Sequence, residues 1–300
     1  MRSRFQFFKM GLLSFTVIFA LSAQVVHAES EEFDVYSSED QNYNAPYVGP
    51  KIKVNVAARQ LHVFDEHDKL VKTYPIAIGS PRYKTPLGRR EMKEIVWNPW
   101  WIPPKNSAWA AGAKDTPPGP NNPLGQVKMK LGEAIMFHGT NKPKSIGRAE
   151  SHGCMRMFTE DAKELAAWIQ QRVMNNKTTP ETYMDFISKV EANKRSSFYV
   201  QIENPVPIDI VYELAEVKNG KLNIYQDVYW RVKDKVKEVE IALKSAGYKS
   251  EDFDLDYIRD QIKTAKNGSD LSFELNFLLK KNKHLRDDVG QVVAVNQLSE

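Results

Sequence analysis

The sequence predicts a mainly β domain with a helix after its single cysteine, followed by an α-helical C-terminal appendage. Three observations carry that reading. Apolar and polar residues alternate from residue 51 onward, seven prolines and four tryptophans crowd residues 97–125, and apolar residues take helical spacing only after residue 159 and again after residue 228.

Arg2, Arg4 and Lys9 precede a mostly apolar stretch, residues 10–23, and the small-residue exit Val26-His27-Ala28. This is the pattern of a cleaved secretory signal peptide over residues 1–28, with an uncleaved anchor as the alternative. The stretch is short for a bilayer span of roughly 20 residues. No cysteine stands near residue 28 to take a lipid and no twin arginine is present, which favours general export. Residues 29–44 carry six acidic residues and no basic one, so residues 29–50 read as an acidic flexible leader. The full chain has 42 basic and 38 acidic residues; removal of residues 1–28 takes three basic and no acidic ones, leaving 39 against 38. Such a balance argues against nucleic-acid binding.

A β-meander opens the domain expected over residues 51–203. Ile52, Val54 and Val56 alternate with polar residues, a turn follows at residues 57–59, and Leu61, Val63 and Phe64 form the return strand. After Glu66-His67-Asp68, residues 70–78 read as another strand, ending at Gly79-Ser80-Pro81. The proline density of residues 97–125 excludes ordinary helix and central strand, and four tryptophans there are costly to expose. The segment is expected to fold over the body as a cap or as one wall of a cleft. Residues 133–138 return to strand and deliver His138 at its end, and a loop over residues 141–150 leads to Ser151-His152-Gly153-Cys154. Thr159 can cap a helix over residues 159–172, with Ala162, Leu165, Ala166 and Ile169 on one face.

Residues 204–300 form the expected C-terminal strand and helical subdomain. Strand-like runs at residues 198–202 and 207–212 precede a charged helical region in which Val232, Val236, Val239 and Leu243 recur at helical intervals. Asn267-Gly268-Ser269 breaks that region before residues 271–279. An amphipathic appendage of this kind is expected to offer a packing or partner surface.

The chemistry centres on Cys154, the only cysteine in the chain, which therefore has no intramolecular disulfide partner. Export into an oxidising compartment gives an unpaired thiol a reason to be reactive, although a buried inert cysteine and an intermolecular disulfide stay open on this ground alone. A thiol becomes a strong nucleophile when an imidazole takes its proton, and His138 arrives from a separate segment that the fold can bring opposite it. His152 sits two positions before Cys154, placed to orient the thiolate or to help an oxyanion. Gly153 permits close approach, and the Gly153 and Cys154 amides can stabilise developing negative charge. Zinc held by His138, His152 and Cys154 would lack a fourth ligand, and no metal or other cofactor is expected.

These same residues resemble a known family. His138-Gly139-Thr140 and Ser151-His152-Gly153-Cys154-Met155-Arg156-Met157 are similar to the active-site signature of the L,D-transpeptidases, whose YkuD-type catalytic domain is a β-sandwich. Thr85-Pro86-Leu87-Gly88, Asn98-Pro99-Trp100-Trp101-Ile102-Pro103 and the stretch from Gly119 to Gly125 resemble its periplasmic Gram-negative branch. The resemblance implies periplasmic two-step acyl transfer on peptidoglycan stem peptides. Cys154 would attack the carbonyl of the L-centred third residue of a tetrapeptide donor and release D-alanine. A diaminopimelate amine or a lipoprotein lysine would accept the acyl group. His138 would be the base, His152, Gly153 and the nearby amides would serve the oxyanion, and Arg156 would hold a substrate carboxylate. Gly139, Ser151 and Trp101 are expected at the substrate, with Ser151 acting through local hydrogen bonds rather than as a nucleophile.

Two departures stand out. No wall-binding LysM module precedes the domain, and the helical tail exceeds what matches the family. The competing enzymatic reading is hydrolysis, in which water takes the acyl group and the protein is an L,D-carboxypeptidase or cuts crosslinks or wall-bound lipoprotein. A non-catalytic wall-binding protein is the reading from another class.

Overall fold

The computed structural model describes residues 47–105, 107–173, 180–265 and 269–287. The signal peptide and most of the acidic leader expected from the sequence lie outside them. An eight-stranded sheet organises the domain, built from β1 (Lys51–Asn55), β2 (Gln60–Phe64), β3 (Leu70–Pro75), β5 (Gly88–Trp97), β6 (Val127–Lys130), β7 (Met136–His138), β9 (Met155–Arg156) and β10 (Phe198–Val211). Their order across the sheet is β3-β2-β1-β10-β5-β6-β7-β9. The short strands β4 (Ile78–Gly79) and β8 (Ala149–Ser151) pair separately, in parallel.

The meander forms where alternation predicts it, with Ile52, Val54, Leu61 and Val63 buried. Its first turn closes with Arg59 in the left-handed region, at φ 54°. The two longest strands, β5 and β10, pair antiparallel at the centre of the sheet. Of these, β5 is not signalled by its sequence, because Arg89, Arg90, Glu91, Lys93 and Glu94 obscure the alternation. Several of those side chains lie in ion pairs on the sheet, Glu94 with Lys130 at 2.7 Å and Arg90 with Glu133 at 3.1 Å. Strand β10 bulges between Gln201 and Val206, where Asn204 and Pro205 interrupt the ladder, and its second half then pairs in parallel with β1. The sheet therefore continues to Val211, across the division expected at residue 203.

Helix α1 (Thr159–Val173) buries Ala162, Leu165, Ala166 and Ile169, the face its spacing predicts. Gln170 on this helix accepts the indole N–H of Trp97 at 2.9 Å, both groups being buried. Thr159 does not act as a cap: its hydroxyl donates to the Thr140 carbonyl at 3.2 Å and accepts the Thr140 amide at 3.3 Å. Helix α2 (Pro180–Ala192) sets Phe186 edge-on to Trp97.

The C-terminal part carries the expected helices, α3 (Lys235–Ser245) and α4 (Leu255–Thr264), together with a three-stranded sheet of β11 (Ala215–Lys218), β12 (Lys221–Ile224) and β13 (Leu271–Glu274). Leu222, Val239, Leu243, Phe253, Ile258 and Phe273 give it a core of its own. Helix α3 starts at Lys235, later than residue 228, because the Asp234 carboxylate caps it by accepting the Val236 and Lys237 amides. Among the described residues no helix is long and apolar enough to cross a membrane.

Phe137 is fully buried in the main core. Replacing it with alanine is expected to lower stability by about 3–5 kcal/mol, read as a lower urea midpoint with an unchanged slope.

Candidate active site

The last two strands of the sheet place the candidate side chains on one face. Strand β9 lies parallel to β7, with Phe137 opposite Met155 and His138 opposite Arg156. Phe137 and Met155 point into the core, so alternation turns Met136, His138 and Arg156 to the other face, and Cys154 precedes Arg156 by two. The sulfur also accepts the Met136 backbone N–H. The two residues the sequence singles out, 16 positions apart, thus take diagonal places across one strand pair, with the thiol bonded to Ala134 rather than to His138. Ala77 fixes β9 from its outer side, exchanging two backbone hydrogen bonds with Arg156 at 2.8 and 2.9 Å.

His138 is buried, and its Nδ1 contacts the Gly139 carbonyl. A carbonyl only accepts, so Nδ1 carries the proton and Nε2 keeps its lone pair. Gly139 works through that carbonyl and through close packing. A Cβ there would stand 3.0 Å from Thr159 Oγ1 and 3.2 Å from Gly125 Cα. Burial pushes the His138 pKa down to about 4 against the opposing Gly139 bond, with the charges of Arg156 and Lys128 acting in the same direction as burial. The imidazole is therefore neutral at pH 7, with the Nε2 lone pair available.

Cys154 is half-buried, and its thiol donates to the Ala134 carbonyl at 3.3 Å. Ala134 follows Glu133 in the tight β6–β7 turn, and both are left-handed, at φ 62° and 46°. Burial pushes the thiol pKa up, opposed by the Met136 amide and by Arg156. Thiol and imidazole thus both rest in their neutral forms.

The turn before Cys154 is fastened from within. The buried Ser151 hydroxyl donates to the Cys154 carbonyl and accepts the Gly153 amide at 3.1 Å. Ser151 is consumed inside the turn, and so is the Gly153 N–H that the sequence offers to an oxyanion. The Cys154 N–H has no partner among the described residues and is the amide left for that role. Gly153 sits at φ 109°, a conformation that requires glycine.

His152 is exposed and stacks on Trp109 at 4.0 Å and 13°, with Tyr83 tilted against it at 4.9 Å. Burial lowers its pKa, and the charges of Arg156 and Lys142 lower it further. Arg156 is half-buried, makes no ion pair among the described residues, and acts electrostatically on His138, His152 and Cys154. The proline- and tryptophan-rich segment does fold over the site, organised by the buried Asn122 amide, which donates to the carbonyls of Pro99, Thr116 and Pro117. Trp101 pairs with Thr116 in the stem of this flap. The residue that reaches the site is Trp109, one of the four tryptophans counted in the sequence, and Tyr83 was not signalled at all. Among the described residues no three His, Cys, Asp or Glu side chains come together as metal ligands.

The YkuD family model, described as an L,D-transpeptidase catalytic domain, matches residues 49–209, over half of the chain. The chain belongs to this family. A YkuD L,D-transpeptidase of Bacillus licheniformis is 36% identical over 118 residues, which is 39% of this chain and 58% of that protein. The L,D-transpeptidase YbiS of Escherichia coli K12 is 29% identical over 165 residues, 52% of this chain and 51% of YbiS. An L,D-transpeptidase from Mycobacterium smegmatis aligns with TM-score 0.34 at 15% identity, covering 54% of this chain and 58% of that one. The chain spans about half the length of the curated relatives it matches.

Two outcomes follow from this geometry. Because burial raises the thiol pKa and only the thiolate alkylates, the rate of Cys154 modification is expected to climb steadily as pH rises through neutrality, with no inflection from His138, whose pKa burial holds at about 4; a plateau or inflection near the ordinary histidine value in stopped-flow alkylation would contradict it. Trp109→Ala removes the stacked ring, so the His152 pKa is expected to rise toward that ordinary value in an NMR titration, with the His138 signal unmoved.

Proposed function

We propose that this protein is a cysteine-dependent L,D-transpeptidase acting on peptidoglycan stem peptides. What carries the reading is the bond from His138 Nδ1 to Gly139, which leaves Nε2 an acceptor on the sheet face that Cys154 shares. The thiol proton passes to Nε2 as sulfur attacks the carbonyl carbon of the L-centred third residue. The Cys154 N–H and His152 stabilise the oxyanion. The tetrahedral intermediate collapses to a thioester, and the departing D-alanine amine takes the proton back from His138. An acceptor amine then attacks the thioester, gives a proton to Nε2, and the thiolate leaves and is reprotonated. One peptide bond is exchanged for another, and the steps balance without a co-reactant.

Arg156, which makes no ion pair among the described residues but feels the charges of Glu150 and Cys154, holds a carboxylate of the stem peptide. The acceptor is a diaminopimelate amine, giving a crosslink, or a lipoprotein lysine. The flap that sets Trp109 on His152 supports transfer over hydrolysis, as a wall against which a bound acceptor peptide would shield the thioester from water. The N-terminal sequence supports export to the periplasm, with residues 1–28 removed as a signal peptide.

Incubation of residues 29–300 with a disaccharide-tetrapeptide is expected to yield a crosslinked dimer with loss of D-alanine, detected by mass spectrometry. Cys154→Ala is expected to abolish it. Free tripeptide as the sole product would assign the protein to hydrolysis, and binding without turnover to a non-catalytic role. A carbapenem is expected to add one acyl adduct to the wild-type mass and none to the Cys154→Ala protein.

A further inference from the structure

We propose that Thr85 and Tyr229 are positioning residues that aim the oxyanion-binding amide of Cys154, through a buried chain of hydrogen bonds anchored at Asp227; this rests on the roles given above to Cys154 and its amide. The Thr85 hydroxyl is fully buried, donates to the Gly153 carbonyl at 2.9 Å and accepts the Gly79 amide at 2.8 Å. The Gly153 carbonyl and the Cys154 N–H belong to one planar trans peptide unit and point in opposite directions. A bond that fixes the carbonyl therefore fixes the direction of the N–H. At φ 109° Gly153 has no Cβ to restrict its backbone, so an external tie is needed.

Tyr229 holds Thr85 in turn. Its hydroxyl donates to the Gly79 carbonyl at 2.7 Å and accepts the Thr85 amide at 3.0 Å. Its ring stacks on Tyr212 at 5.5 Å, and its own amide donates to the Tyr212 hydroxyl at 3.0 Å. That hydroxyl donates to Asp227 at 2.6 Å, and the Asp227 carboxylate also accepts the Arg231 and Val232 amides. Every polar group along the path has its partner, so the path is rigid. It runs from beyond the matched family segment to the peptide unit beside the sulfur.

The test compares two reactions of the same thiol. Acylation by p-nitrophenyl acetate passes through an oxyanion, whereas displacement on iodoacetamide does not. Thr85→Val and Tyr229→Phe are expected to slow acylation by about 10- to 100-fold, below the loss of a whole donor, while alkylation stays within about twofold and Thr85→Ser restores acylation. Equal slowing of both reactions would mean a merely structural role, and unchanged acylation would mean that the amide is aimed without them; either overturns the proposal. Because p-nitrophenyl acetate requires no wall recognition, failure with the disaccharide-tetrapeptide alone would count against the substrate reading and not against this one.

Discussion

The parallel pairing of β7 with β9 is the constraint on which the site depends. Strand β9 has only two residues and lies at the edge of the main sheet, where so short a segment cannot hold itself. It is held from both sides, by β7 and by the Ala77 bridge. That pairing sends Phe137 and Met155 into the core and His138 with Arg156 to the opposite face. One slip in register would exchange these faces and put the imidazole and guanidinium among apolar side chains. The burial of Phe137 and Met155 thus fixes the geometry of the chemistry on the other side.

Burial also sets the electrostatics. It favours the neutral forms of both Cys154 and His138, and Arg156 acts on each in the direction of lower pKa. The cation therefore stabilises the thiolate at the same time as it weakens the imidazole as a proton acceptor. The Gly139 carbonyl opposes the second effect by bonding the Nδ1 proton, more strongly once the ring is charged. In the proposed reaction, transfer of the thiol proton creates opposite charges beside groups already fixed in place, which favours it over the same transfer between free side chains in water. In the resting state the Ala134 carbonyl holds that proton.

Much of this was legible in the sequence where its cause is local. The meander follows from alternation and α1 from Ala162, Leu165, Ala166 and Ile169, while Cys154 and His138 stood out as candidates through the scarcity of residues able to do such chemistry. What escaped depends on distant partners or on backbone groups. Strand β5 hides its period under charges that find partners only once the sheet exists. Asn219-Gly220 was a readable hairpin signal, with both residues left-handed between β11 and β12, yet each of those strands has four residues, too few for alternation to show. Gly139, expected at the substrate, also packs closely against Gly125 and Thr159, a contact between distant segments that no local pattern encodes. The stacking of Trp109 on His152 joins two irregular segments, and no periodicity encodes such a contact.

The C-terminal region divides at a different place from the one composition indicates. Its second core, with α3, α4 and the three-stranded sheet, is distinct from the first. Val228 and Tyr229 nevertheless belong to the main core, although they follow β11 and β12 in the chain. Asp270, at the entry to β13, ties the two together: it pairs with Arg59 in the first turn of the meander and accepts the Gln226 amide at 2.9 Å. The chain therefore leaves the main body after β10, builds a hairpin of the second unit, and returns through residues 226–232 before making the helices. The returning segment packs behind the turn that carries Cys154, and the second unit is tied to the main body at Asp270, so a shift of one against the other would break the Asp270 bonds to Arg59 and to the Gln226 amide.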